Sequence, residues 1–203
     1  TSMFFRKGNV LRTVSPGKTI LAEATIDETV PTDFGIYDLN QLLSIISLHK
    51  TPPVLEINGN NLVVEGCAGR SKINYRCCEE SMMKVPPKEN ITLPSEDVTF
   101  ALSEEDFNWI MKAAAVLSSP NISILSRDGK LFATTHDVSD DSSHNDALEI
   151  GPHTGPEINF VFKTENWKML PGSYIITISQ RAAHFQNQAR KIQYWVATES
   201  KSN

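Results

Sequence analysis

The sequence predicts an α+β chain built from two similar domains. Three observations carry that expectation. A Gly-Lys turn between apolar alternating segments occurs twice, at Gly17-Lys18 and at Gly129-Lys130, 112 positions apart. The order of elements after each turn is alike. Between the two copies runs a stretch that holds three prolines, Pro86, Pro87 and Pro94, which remove backbone donors and favour an extended path. The repeat is too long for a solenoid and suits duplicated domains of about 100 residues each.

The first copy opens with Val10-Leu11-Arg12-Thr13-Val14, turns at Gly17, and continues as Ile20-Leu21-Ala22, which reads as strand, turn, strand. Phe34-Gly35-Ile36-Tyr37 is the next strand, and Asp38 to Leu48 is a helix candidate. Three strands follow, around Val54–Ile57, Leu62–Val64 and Ile73–Tyr75. The second copy repeats the hairpin at Ile122–Leu125 and Leu131–Ala133, then gives Phe160–Phe162, a short helix from Glu165 to Leu170, and strands at Tyr174–Ile178 and Ile192–Val196. Before its hairpin stands the clearest helix, Ser103 to Ser118. Ser103 caps it with Asp106 in a variant of the capping box, and Phe107, Ile110, Met111, Ala114 and Leu117 form its core stripe. By the repeat, a similar helix belongs before Val10, so the first copy is expected to be cut short. The expected boundaries are 1–80, a linker at 81–98, and 99–203.

Composition bounds the function. A hydrophobic share of 40% and a charged share of 21% describe a globular chain, and no run of about 18 apolar residues is long enough to span a bilayer. Charge at Arg6-Lys7 interrupts what a signal peptide would need, so the reading is cytoplasmic. Cys67, Cys77 and Cys78 make an odd count in which the adjacent pair cannot easily bridge, which fits a reducing compartment and leaves the sequons at Asn90 and Asn121 idle. A net charge of −5 argues against a uniformly basic, nucleic-acid-coating surface, though not against a basic patch.

The motifs that would carry chemistry are weak. The loop from His136 to Asp146 holds two imidazoles and four carboxylates, but its spacing fits no metal loop and it reads as a solvated turn. Neither Gly-Lys turn sits in a phosphate-binding frame, and no nucleophile-base arrangement occurs. Catalytic residues, metal ligands and cofactors are all expected to be absent. Three features exceed what folding needs: the linker residues Ile91, Leu93 and Pro94; the turn Lys168-Met169-Leu170-Pro171-Gly172; and the strand Tyr194-Trp195-Val196-Ala197. Together they suggest a groove for a short apolar peptide.

Two blocks carry a family resemblance: Asp33 through Leu48, and Asn159-Phe160-Val161-Phe162 running through Pro171-Gly172-Ser173-Tyr174 to Trp195-Val196-Ala197. The chain resembles, from about Met3 to Glu199, the sliding clamps (DNA polymerase processivity factors) of T-even-type bacteriophages. That family resembles the proliferating cell nuclear antigen fold, which implies two clamp domains per subunit, antiparallel sheets outside and helices on one face, lining the hole of a homotrimeric ring. The resemblance implies sequence-independent binding of double-stranded DNA, with Asn108, Lys112, Ser119, Lys163 and Lys168 facing it. It also implies that the replicative polymerase's C-terminal peptide docks at Ile91, Leu93, Pro94, Pro171, Trp195, Val196 and Ala197. An ATP-dependent clamp loader would place the ring, and the setting would be the bacterial host cytoplasm during infection. The competing readings are a β-rich structural or adaptor protein of a phage virion, and a metal-dependent hydrolase at the His/Asp loop.

Overall fold

In the computed structural model, residues 2–87 and 91–199 are described; Lys88 and the Asn90 sequon of the linker lie outside them. The described chain forms two compact units. Unit 1 takes residues up to Pro16 and from Glu23 to Pro87, and unit 2 takes Gly17–Ala22 and the residues from Ile91 onward.

Unit 1 contains β1 (Met3–Phe5), β2 (Gly8–Val14), most of β3 (Ile20–Val30), β4 (Phe34–Ile36), α1 (Leu39–Ser47), β5 (Val54–Asn58), β6 (Asn61–Gly66) and β7 (Ser71–Arg76). Strand β1 pairs antiparallel with β4, β2 neighbours β3, and β5, β6 and β7 form an antiparallel meander. Helix α1 starts where Asp38 accepts a hydrogen bond from the Gln41 amide at 3.1 Å. The Tyr75 hydroxyl fixes that cap from β7, donating to the Asp38 carbonyl at 3.0 Å and accepting from its amide at 3.1 Å. Ile36, Leu42, Leu62, Val64 and Tyr75 form the core, with Phe5 stacked on Phe34 at its margin.

Unit 2 contains β8 (Val98–Leu102), α2 (Glu104–Val116), β9 (Asn121–Arg127), β10 (Lys130–His136), β11 (Asp146–Pro152), β12 (Asn159–Lys163), a 3₁₀ helix (Thr164–Trp167), β13 (Tyr174–Ile178), β14 (Ala182–Asn187) and β15 (Ile192–Ala197). One sheet has the order β11-β10-β9-β12 and the other runs β15-β14-β13-β8, with the first residues of β3 alongside β15. Between the sheets, Phe107, Ile122, Ile124, Phe162, Trp167, Tyr174, Ile176, Phe185 and Val196 pack into one core. Ser103 caps α2 as its sequence suggests: its hydroxyl accepts from the Asp106 amide at 3.0 Å and donates to the Asp106 carboxylate at 2.6 Å.

Some readings need correction. The Glu165–Leu170 helix is only the 3₁₀ turn Thr164–Trp167, because Lys168 leaves helical geometry at ψ 62°, two residues before Leu170 and three before Pro171. The two Gly-Lys turns also differ. Asp128 (φ 52°) and Gly129 (φ 74°) make the tight left-handed pair of a two-residue hairpin, whereas the first turn is a wider loop with Lys18 at φ 57°. Residues 3–5, the 98–102 segment, 146–152 and 182–187 are strands that the sequence reading did not separate.

Candidate functional site

Helix α2 and the 3₁₀ helix lie side by side in unit 2, joined by the stacked rings of Phe107 and Trp167 at 6.2 Å and an interplanar angle of 9°. Lys112 of α2, Lys163 at the end of β12 and Lys168 just after the 3₁₀ helix are exposed, and Asn108 of α2 is half-buried. The acids of α2 are confined to its first turn, Glu104, Glu105 and Asp106, where they suit the helix dipole. One acid, Glu165, lies in the 3₁₀ helix between Lys163 and Lys168.

Ser119 does not join this face. Helix α2 ends at Val116; Ser118 then takes φ 53°, its amide reaching the Ala115 carbonyl while that of Ser119 reaches the Ala114 carbonyl at 2.9 Å. That left-handed cap turns the chain inward, burying Ser119, whose carbonyl accepts from the Thr164 hydroxyl at 2.8 Å. Extending the helical stripe past its real end produced the misplacement.

Two exposed apolar residues beside that face went unread: Trp109, 55% exposed with its indole donating to Asp146 at 2.9 Å, and Val116, 82% exposed. Their spacing of seven residues puts both on one side of α2, a signal present in the sequence. The neighbouring strand β11 is one of the two edge strands of its sheet among the described residues. In unit 1, Leu43 and Leu48 are likewise exposed at α1.

The expected groove residues divide by strand periodicity. Trp195 and Ala197 of β15 are half-buried on the outer face, and Pro171 and Pro94 are exposed, with Ile91 and Leu93 half-buried. Val196 is fully buried in the core. Successive strand residues point to opposite faces, so Val196 cannot share a surface with its two neighbours. The Pro171 turn is held from beneath: the Tyr174 hydroxyl donates to the Leu170 carbonyl, and the Tyr194 hydroxyl accepts from the Leu170 amide at 3.3 Å. Burial raises the Tyr174 pKa, so this phenol stays a donor. The sequence reading missed His184, whose imidazole stacks on the Trp195 indole at 4.8 Å and 14°.

In the His136–Asp146 loop, the Asp137 carboxylate accepts from the amide and hydroxyl of Ser139, and Asp140 does the same with Ser142. Those carboxylates shape turns. Among the described residues no three metal-ligating side chains converge, and none of their helices is long and apolar enough to cross a membrane.

Solved structures of clamps share this architecture. Proliferating cell nuclear antigen from Thermococcus kodakaraensis matches with a TM-score of 0.67 at 16% identity, over 98% of this chain and 90% of that one. A Helicobacter pylori β clamp, solved with a DNA ligase peptide, gives 0.70 at 14% identity over 98% of this chain and 56% of that one. The chain has the sliding-clamp fold. Its sequence resembles phage sliding clamps from end to end: it is 26% identical to those of Escherichia phage RB69 and Enterobacteria phage T4, covering 100% of this chain and 90% of each relative. The sliding clamp of Vibrio phage KVP40 is also 26% identical, over 98% of this chain. The family described as DNA polymerase processivity factor matches residues 1–83. These relationships support a DNA clamp and give no support to a virion adaptor.

Proposed function

We propose that the chain is a non-enzymatic DNA sliding clamp that closes as a homotrimer around duplex DNA and tethers the replicative polymerase. The observation that carries this reading is sequence similarity to three phage sliding clamps along nearly the whole chain, within a clamp fold. The domains are taken as 1–80 and 99–203, joined by the linker 81–98.

A clamp works by topology. It must stay on DNA while moving along it, so it needs phosphate contacts that are few and weak, and no base contacts. Asn108, Lys112, Lys163 and Lys168 supply a sparse cationic face of that kind. Closure requires two different surfaces of each copy to meet in a head-to-tail contact whose rotation completes a ring. Trp109 and Val116 beside the open edge of β11 offer one apolar surface, and Leu43 and Leu48 on α1 offer another. The polymerase's C-terminal peptide docks along Ile91, Leu93, Pro94, Pro171, Trp195 and Ala197. Loading falls to an ATP-dependent clamp loader, in the cytoplasm of the infected host.

The test is synthesis by the phage polymerase on a primed circular template, with clamp loader and ATP, at salt that limits the polymerase alone to short products. Addition of this protein is expected to yield full-length products; unchanged product length would refute the reading.

A further inference from the structure

The outer face of the β15-β14-β13-β8 sheet carries no charged side chain over two rows that cross all four strands. In register these are Thr99, Thr177, His184 and Trp195, and beside them Ala101, Ile175, Gln186 and Gln193. In a chain in which 21% of residues are charged, such a face is depleted in the way that the centres of protein interfaces are. Its only titratable member is His184. The imidazole lies against Trp195 at 4.8 Å, and its Nε2 stands 2.8 Å from Gln193 Oε1. The groups facing it are Thr177 from β13, Trp195 and Gln193 from β15, and Ala182 and Gln186 along its own strand, none of them charged.

We propose that His184 is a positioning residue of the peptide groove and that its charge state governs occupancy. The neutral ring holds the indole of Trp195 ready for an extended, uncharged segment, and the protonated ring disfavours it. This rests on the assignment of the polymerase peptide to this face. Two physical effects combine. A stacked, hydrogen-bonded imidazole fixes the Trp195 rotamer before binding, so less side-chain freedom is lost when the peptide docks. A proton on that ring makes it a cation with no acidic partner among the facing residues, and an apolar segment covering it would strip away its water. That desolvation cost favours the empty groove. The charge-free rows likewise select an occupant that brings no charge of its own to the centre of the contact.

The experiment measures binding of a labelled synthetic peptide of the replicative polymerase's C-terminus to wild type, His184→Phe, His184→Ala and Trp195→Ala, at about pH 8 and about pH 5.5. Wild type is expected to bind roughly tenfold more weakly at the lower pH. In His184→Phe, which keeps an aromatic stack without a titratable group, the ratio of the two affinities should fall to about one. His184→Ala should bind roughly three- to tenfold more weakly at pH 8. A wild-type pH response in His184→Phe, or wild-type binding by His184→Ala, overturns the proposal while leaving the groove in place. Unchanged binding by Trp195→Ala overturns the groove assignment itself, and this inference with it. A second readout needs no ligand: the emission that wild type shows and Trp195→Phe lacks should be quenched as pH falls, and pH-independent emission would contradict the stacked pair.

Discussion

The indole of Trp167 lies parallel to the Phe107 ring at 6.2 Å and meets Phe185 edge-on at 5.3 Å, so one fully buried side chain joins helix α2, the 3₁₀ helix and the far sheet of unit 2. Trp167→Ala should therefore cost about 3–5 kcal/mol, the range for deleting a large core aromatic. Urea unfolding of the variant checks this; a loss below about 1 kcal/mol would mean that the two helical segments are positioned independently of this contact.

The exposed cations on those segments should act as separate, weak phosphate contacts. Changing Lys112, Lys163 or Lys168 singly to Ala is expected to lower the salt slope of DNA association by about one unit each, uniformly across DNA sequences. Ser119→Ala should leave the slope untouched, since that residue is buried behind the helix cap. Fluorescence anisotropy across a salt series reads both outcomes.

Peptide capture should separate from stability on strand β15. Trp195→Ala combined with Pro171→Ala is expected to weaken the polymerase peptide by about 2 kcal/mol or more, as for an aromatic anchor. Val196→Ala, one position along, should instead destabilise the fold by roughly 1–3 kcal/mol. Calorimetric titration and thermal unfolding of the same variants test the separation.

His136 gives the fold a pH dependence with a definite sign. Its ring is held 2.7 Å from the buried Ser123 hydroxyl, and burial lowers its pKa below the ordinary imidazole value, against a smaller opposing pull from Asp137. The folded state therefore keeps the ring neutral where the unfolded chain protonates it. No effect is expected above the unfolded pKa of about 6.5, and stability should fall as pH drops below it, until the folded ring also takes a proton. Chemical unfolding of wild type and His136→Gln from about pH 7.5 to pH 5 should show the loss in wild type alone; parallel curves would contradict it.

Much of the architecture was legible because local chemistry marked it. Asp38 and Ser103 announce their helices as caps, and Asp128-Gly129 announces its hairpin. Strand β14 was not legible: Ala182, Ala183, His184 and Gln186 offer little contrast between faces, and only its place between β13 and β15 buries Phe185 and exposes the other side. That gap hid His184, and with it the stack on Trp195. Helix length was the other weak point. The polar face that starts at Asn108 and Lys112 continues by spacing to Ser119, but α2 ends at Val116 and the left-handed Ser118 turns the chain away.

Retention on DNA circles tests encirclement most directly. Loaded by the clamp loader and ATP onto nicked circular plasmid and gel-filtered in high salt, the protein should travel with the DNA as a particle of three 22.6 kDa subunits, about 68 kDa. Cutting the plasmid once should release it by sliding off the ends. Equal retention on the circle and its linear product, or a protein that remains monomeric, would contradict the account.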